Sequence, residues 1–176
     1  MGNRFIVGLL QFVWCLDLAI KLVWKVVLGV VACELAGVVG SVFTFPSIGS
    51  WYASLVKPWF NPPNWLFGPV WTILYALMGI ALGLVWDKGL GSRGVRTGLV
   101  VFVVQLALNV LWSIVFFGAQ SLFYGLVIIV VLWVAIALTI VLFYRVSKRA
   151  GLLLVPYICW VTIATMLNLY LWLLNP

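Results

Sequence analysis

The sequence predicts an all-α membrane protein: a bundle of five transmembrane helices with a long loop, rich in proline and aromatic residues, between helices 1 and 2. The 176 residues are 66% hydrophobic and 7% charged, with a mean hydropathy of +1.28, whereas soluble domains carry about 25% charged residues. Five apolar runs each have the length of about 20 residues that crosses the hydrocarbon as a helix. The 10 basic residues fall almost entirely at one set of ends of these runs.

Composition excludes several classes of function. The chain has no histidine and only three acidic residues, so it lacks the residues for a His-based catalytic triad, an HExxH zinc site or a histidine-ligated haem. We therefore expect no metal site and no cofactor. The net charge of +7 is interpreted as membrane topology and attraction to anionic lipid, and not as nucleic-acid binding.

The five predicted spans form a transmembrane domain of residues 26–176. Charge, proline or glycine bounds each of them, and they cover residues 26–46, 65–86, 95–117, 122–144 and 152–174. No proline falls in the middle of a span, so we expect five fairly straight helices. Three connections are short enough to allow only tight turns. The exception is the first loop, residues 47–64.

Residues 1–25 are predicted to form an N-terminal extension, an interfacial helix that leads into the first span. Its apolar stretch, residues 5–20, is too short and too polar for a sixth span, since it contains Asp17. A helix that lies in the membrane surface keeps its polar side chains on one stripe. The stripe predicted here consists of Arg4, Gly8, Gln11, Cys15 and Lys25.

The basic residues predict the orientation of the bundle, because lysine and arginine accumulate on the cytoplasmic side of membranes. With five spans, nine of them share a side with the N-terminus, and only Lys57 lies on the other. The N-terminus and loops 2 and 4 (residues 87–94 and 145–151) are therefore predicted to be cytoplasmic. Loop 1 and the C-terminus are predicted to be outside.

The first loop combines stiffness with large aromatic side chains. Pro58, Pro62 and Pro63 fix φ and remove backbone donors, which predicts turns and polyproline-like pieces in place of helix. Five rings fall within fifteen residues: Trp51, Tyr52, Trp59, Phe60 and Trp65. Two interpretations remain open, a rigid aromatic lid over the outer end of the bundle and an ordinary aromatic belt at the membrane interface.

Side chains at four-residue intervals mark the interior faces of three spans, because polar groups in a membrane usually face the bundle interior. The stripes are Gln105, Asn109 and Ser113 on span three, Trp160, Ala164, Asn168 and Trp172 on span five, and Trp71, Tyr75, Gly79 and Gly83 on span two. Each stripe is also explained by helix packing and interhelical hydrogen bonds alone. Together below a stiff loop, they indicate an apolar pocket with a few orienting polar groups.

Glu34 is the only acidic residue in the middle of a span. Such a carboxyl group serves either as a proton-coupled carrier, as in small drug exporters, or as a neutral acid that is hydrogen-bonded internally. The lack of a second acid or a histidine to relay protons favours the neutral acid.

Three motifs resemble the translocator protein family, the tryptophan-rich sensory proteins also called TspO/MBR or peripheral-type benzodiazepine receptors. They are "WYASLVKPWFNPPNWLFGPVWTILYALMG", "QLALNVLWSIVFFG" and "LLLVPYICWVTIATMLNLYLWLLN". The resemblance covers about residues 51–175, with a looser match in span one. Three ordered motifs are far more specific than one short pattern.

The resemblance implies a five-helix bundle, commonly a homodimer, whose apolar pocket is closed by the first loop. Family members bind tetrapyrroles such as protoporphyrin IX, so a porphyrin or another lipophilic small molecule is the expected partner, besides membrane lipid. The family's pocket positions correspond here to Tyr52, Trp71, Tyr75, Asn109, Trp112, Trp160 and Ala164. The resemblance also implies that Trp71 and Trp160 would act in light-dependent porphyrin degradation, if the chain were such an enzyme.

The chain departs from the family at the sterol motif near the end of span five. Leu167 and Tyr170 are present, but no basic residue follows them, so sterol binding is not expected. The predicted function is a membrane receptor, sensor or transporter that binds porphyrin in the bundle, with Asn109 and the Trp71 N–H orienting the ligand and Lys57 near its propionates. The alternatives are a proton-coupled exporter that uses Glu34 and a light-dependent porphyrin-degrading enzyme.

Overall fold

The computed structural model is a bundle of long helices without strands in the described part of the chain. It describes the backbone of residues 2–176 and the side chains of residue 14 and residues 16–176. The helices are α1 (Gly2–Ile48), α2 (Trp51–Ser54), α3 (Asn64–Trp86), α4 (Arg93–Ser113) with a π-helical turn at its end (Ile114–Gly118), α5 (Leu122–Val146), α6 (Lys148–Leu153) and α7 (Val155–Leu174).

Five segments within residues 16–174 are long and apolar enough to cross a membrane, which confirms the predicted fold class. They are Leu16–Ile48, Asn64–Trp86, Arg93–Gly118, Leu122–Val146 and Lys148–Leu174. The helices close into a ring: α1 packs on α3 and α4, α4 packs on α5, α5 packs on α7, and α3 contacts α6 and α7.

Two of the five segments are less regular than the straight helices predicted. The third ends in a π-helical turn, where the Ala119 N–H donates to the Ile114 carbonyl, five residues earlier, at 2.8 Å. The fifth is divided at Leu154 into α6 and α7, and Pro156 lies in the first turn of α7. Proline has no N–H to continue the preceding helix, so it favours a new helix start at this point.

Helix α1 is unbroken from Gly2 to Ile48, so residues 2–25 continue the helix of the first span without a boundary. The side chains of Arg4, Gly8, Gln11 and Cys15 in the predicted polar stripe lie outside the described residues. The placement of residues 1–25 in the membrane interface stays a prediction.

The first loop contains a helical turn, α2, where the proline content predicted none. The prolines restrict residues 57–63, and the preceding segment of residues 49–56 is free to form a turn of helix. The Lys57 ammonium closes this turn by donating to the carbonyls of Ala53 and Leu55, at 3.0 Å each. A cation bound at the carbonyl end of a helix is favourable.

Side-chain contacts fix which segments share an end of the bundle. At one end, the Lys25 ammonium lies 2.9 Å from the Asp87 carboxylate and joins α1 to the end of α3. At the other, the Asn175 amide pairs with the Val56 backbone, accepting from its N–H at 2.9 Å and donating to its carbonyl at 3.0 Å. The basic segments and the first loop are thus at opposite ends. Which end faces the cytoplasm stays a prediction.

Glycines bring α1 and α3 into backbone contact near their basic ends. A Cβ atom added at Gly29 would lie 2.5 Å from the Gly79 carbonyl oxygen, and one at Gly83 would lie 2.6 Å from the Cα atom of Val26. No real side chain fits at these distances. Small residues at four-residue spacing allow such close approach in membranes, and this is the packing role considered for Gly79 and Gly83.

Gly79→Ala should destabilise the protein by about 1–3 kcal/mol, because the new methyl group would push the α1 backbone away despite the better helix propensity of alanine. The control is Gly68→Ala in the same helix, where an added Cβ meets nothing within 4 Å. Thermal unfolding in detergent measures both variants. Equal melting temperatures for the two would show that the contact does not hold α1 on α3.

Candidate functional site

A cavity of about 510 Å³ lies between α1 and α3 and reaches α4. It lies on the first-loop side of the close glycine contact. Glu34 and Gly37 lie at the end of the cavity nearer the glycine contact, which we call its deep end. Ile48, Asn64 and Trp65 lie at the end nearer the first loop, which we call its mouth. Its wall is mainly aromatic and aliphatic, and the rings that contribute are Phe45, Trp65, Phe67, Trp71, Tyr75, Trp112 and Phe117.

Three of the aromatic residues that line the cavity form one continuous wall. Trp71 lies 5.6 Å from Tyr75 and 6.5 Å from Trp112 between ring centroids, with interplanar angles of 31° and 33°. Tyr75 packs against Gly37, where an added Cβ atom would lie 2.5 Å from the tyrosine ring. A glycine on α1 is therefore required for this ring to reach its place.

A chain of buried polar side chains supports this wall from behind. The Tyr75 hydroxyl donates to Asn109 Oδ1 at 2.5 Å, Asn109 Nδ2 donates to the Tyr157 hydroxyl at 2.9 Å, and that hydroxyl donates to Gln105 Oε1 at 3.0 Å. Asn109 and Gln105 are each 1% exposed. Gln105 Nε2 is the one buried side-chain polar atom without a partner in the described part of the chain.

A second interhelical contact holds Trp112. Its indole N–H donates to Asn168 Oδ1 at 3.3 Å, and Asn168 Nδ2 donates to the Leu122 carbonyl at 2.8 Å. This links α4, α5 and α7 at the end of the bundle nearer the first loop. Trp112 also lies 5.2 Å from Phe116 in a stacked arrangement, because the π-helical turn directs that ring inward.

Tyr52 of α2, within the first loop, points into the bundle and is fully buried, at 1% exposed. Its ring packs on Phe116 and Phe117 with centroid distances of 6.4 and 5.9 Å, and its hydroxyl donates to Asn61 Oδ1 at 2.6 Å. Burial raises the pKa of Tyr52 to about 12, because the anionic form would lose its hydration. The Lys57 ammonium lies 5.1 Å from the Tyr52 ring, a cation–π distance.

Trp160 and Ala164 lie on the other side of α3, along α7. Trp160 packs on Phe67 at 6.0 Å and lines a separate groove of about 380 Å³ between α3 and α7. The groove is apolar, and its other lining residues are Val70, Ile73, Leu74, Leu77, Pro156, Cys159 and Ile163. Ala164 is 9% exposed and lines neither space.

The structure therefore divides the seven predicted site residues into three groups. Trp71, Tyr75 and Trp112 line the α1/α3 cavity, Tyr52 and Asn109 pack behind them, and Trp160 and Ala164 lie apart on α7. Sequence reasoning missed Tyr157, the residue that joins Asn109 to Gln105. Tyr157 is the third residue of α7 and lies outside the stripe that was recognised by spacing.

The model of the TspO/MBR family matches residues 29–173 of the chain. This is most of the sequence and includes all the residues that line the cavity. The chain belongs to the TspO/MBR family. With its five apolar helices, it is a multi-pass integral membrane protein.

Several relatives in the family have similar sequences over their shared region. The tryptophan-rich protein TspO of Archaeoglobus fulgidus is 50% identical over 99 residues, 55% of this chain and 62% of the relative. The protein CrtK of Rhodobacter capsulatus is 44% identical over 92 residues, 52% of this chain and 56% of the relative. The human translocator protein is 42% identical over 91 residues, 48% of this chain and 50% of the relative. The matches thus span half to about three fifths of these TspO/MBR relatives.

In this TspO/MBR member, Tyr75→Phe should cost about 1–3 kcal/mol of stability, because Asn109 Oδ1 would be left buried without a donor. Tyr124→Phe is the matched control, since Tyr124 is 65% exposed. Thermal unfolding in detergent compares the two variants with wild type. A loss for Tyr75→Phe no larger than for Tyr124→Phe would contradict the role given to the hydrogen bond.

Proposed function

We propose that this protein is a membrane receptor or carrier that binds a tetrapyrrole of the protoporphyrin type in the α1/α3 cavity. The observation that carries the proposal is a cavity of about 510 Å³ walled by tryptophan, tyrosine and phenylalanine rings. Sites for small molecules have volumes of about 300–1,000 Å³ and are mostly apolar with a few polar groups. The relative in Cereibacter sphaeroides is named a tryptophan-rich sensory protein, and the human one a translocator protein, in keeping with sensing or carriage.

In this proposal, the rings of Trp71 and Trp112 contact the face of the macrocycle, and the apolar wall removes it from water. The Trp71 indole N–H is the donor that orients the ligand. Asn109 acts indirectly, because both ends of its amide are occupied by Tyr75 and Tyr157. It holds the Tyr75 ring in the wall and makes no ligand contact.

Lys57 is a poor partner for the propionates of such a ligand. Its ammonium is already bound to two carbonyls of the first loop. We propose that the propionates leave the cavity at its mouth, beside Asn64 and Trp65, where water and lipid headgroups solvate them. Lys57 then contributes by stabilising the loop that borders this mouth.

Binding of protoporphyrin IX to the protein in lipid nanodiscs tests the proposal, with the Soret absorbance of the porphyrin as the readout. Trp71→Ala should weaken binding by about tenfold or more, since it removes a buried aromatic contact. Trp14→Ala is the matched control, because Trp14 is 68% exposed on α1, away from the cavity. Failure of the wild type to bind, or equal affinity in Trp71→Ala, would refute the function proposed.

We also propose that the end with the basic residues faces the cytoplasm. Single cysteines at Trp59, which is 96% exposed, and at Gly91, where an added Cβ meets nothing within 4 Å, report the two ends in a background without Cys15, Cys33 and Cys159. A membrane-impermeant maleimide on intact cells should label Trp59→Cys and leave Gly91→Cys unlabelled until the cells are opened. Labelling of Gly91→Cys and not of Trp59→Cys on intact cells would show that the end with the basic residues faces outside.

A further inference from the structure

Glu34 lies at the deep end of the α1/α3 cavity, and the tetrapyrrole proposal gives it no task. It lines the cavity together with Gly37 and Tyr75 and is half-buried. The two ion pairs in the described part of the chain use the other acids, Asp17 and Asp87. Among the side-chain hydrogen bonds of that part, none involves Glu34. The internal partner that would suit a neutral acid is thus not found there.

Four serine and threonine hydroxyl groups line the cavity, the fourth being that of Ser113, and three of them present acceptors and not donors to it. Ser41, Thr44 and Thr72 all line it. Each donates its proton to a backbone carbonyl three or four residues earlier in its own helix, at 2.7, 3.1 and 3.1 Å respectively. Only the oxygen lone pairs remain for a ligand. These three groups lie nearer the first loop than Glu34, and like the Glu34 carboxylate they can only accept hydrogen bonds from a ligand.

The charges around the cavity also favour a cationic ligand. None of the residues that line the cavity is basic, and Lys25, on the same helix, is held by Asp87 at 2.9 Å. A carboxylate inside a membrane is costly unless a cation neutralises it.

We propose that the cavity binds lipophilic ligands that carry a protonated amine, with the ammonium group at Glu34 and the apolar ring system against Trp71. This is a ligand class of its own and does not require that the cavity also bind a tetrapyrrole. An ammonium supplies the donors that the Glu34 carboxylate lacks. An anionic group at the same depth would be repelled, which also accounts for propionates placed at the mouth.

Three flat probes with one skeleton and different charge test the proposal: pyrenemethylamine, pyrenemethanol and pyrenecarboxylate. Each is titrated at pH 7 into the protein in nanodiscs of neutral phosphatidylcholine, and energy transfer from tryptophan to pyrene reports binding. In the wild type, the ammonium probe should bind about tenfold more tightly than the alcohol, the ratio expected for a hydrogen bond to a charged group. The carboxylate should bind most weakly.

Glu34→Gln keeps the shape of the side chain and removes its charge. It should weaken binding of the ammonium probe by about tenfold and change binding of the alcohol by less than about twofold. Asp17→Asn removes the same charge from an exposed acid that is paired with Lys21 outside the cavity, and should change neither. This control excludes a general effect of net charge on accumulation of the probe at the nanodisc.

Equal affinities of the ammonium and alcohol probes for the wild type, or an unchanged affinity of Glu34→Gln for the ammonium, would overturn the proposal. If Glu34→Gln does not fold, the comparison of the ammonium and alcohol probes on the wild type still tests the proposal. Protoporphyrin binding is measured separately. Binding of the ammonium probe through Glu34 without binding of porphyrin would refute the tetrapyrrole function and support the ammonium site. Binding of porphyrin without a preference for the ammonium probe would support the tetrapyrrole function and refute the ammonium site.

Discussion

The backbone contact of α1 with α3 at Gly29 and Gly79 is the constraint on which the rest of the structure depends. Two helices in direct backbone contact at one end must diverge or fill the gap with side chains further along. Here they do both: the Tyr75 ring fills the first part of the gap against Gly37, and the cavity occupies the next part. The cavity thus lies on the first-loop side of the glycine contact, beyond the Tyr75 ring.

Polar side chains fix the remaining helices around that pair. Tyr75, Asn109 and Tyr157 come from α3, α4 and α7 and are joined by hydrogen bonds. Apolar surfaces have no preferred partner in lipid, so interhelical hydrogen bonds and close packing must specify which helix faces meet. Asn109 is central, because its amide accepts from Tyr75 on α3 and donates to Tyr157 on α7. The aromatic wall depends on this geometry.

Much of this arrangement was predictable from the sequence, and the rest depended on contacts between helices. Hydropathy and length gave the spans, since crossing lipid imposes both. The four-residue spacing of Gln105, Asn109 and Ser113 correctly marked the buried face of α4. Spacing within one helix carries no information on its rotation against another, so it could not show that Trp71 and Trp160 line different spaces in this structure.

Glu34 and Tyr157 also show that a sequence does not reveal contacts between helices. Both were visible as residues, but their roles arise only from neighbours on other helices: Glu34 from the cavity beside it, Tyr157 from two amides on α4. The turn α2 was missed for a different reason. The absence of helix was predicted for the whole first loop from its prolines, although proline acts only on its own residue and its immediate neighbours.

The length of α1 has a mechanical consequence. At 1.5 Å per residue, the helix extends about 40 Å from Gly29 toward Gly2 and about 30 Å toward Ile48. If α1 moves as one body, the glycine contact is the pivot about which its two arms turn. A tilt of about 5° at this pivot displaces the Ile48 end by about 2.5 Å at that rise per residue, and swings the opposite arm further the other way. A ligand that wedged α1 away from α3 near Ile48 would therefore also displace the Gly2 end of the same helix.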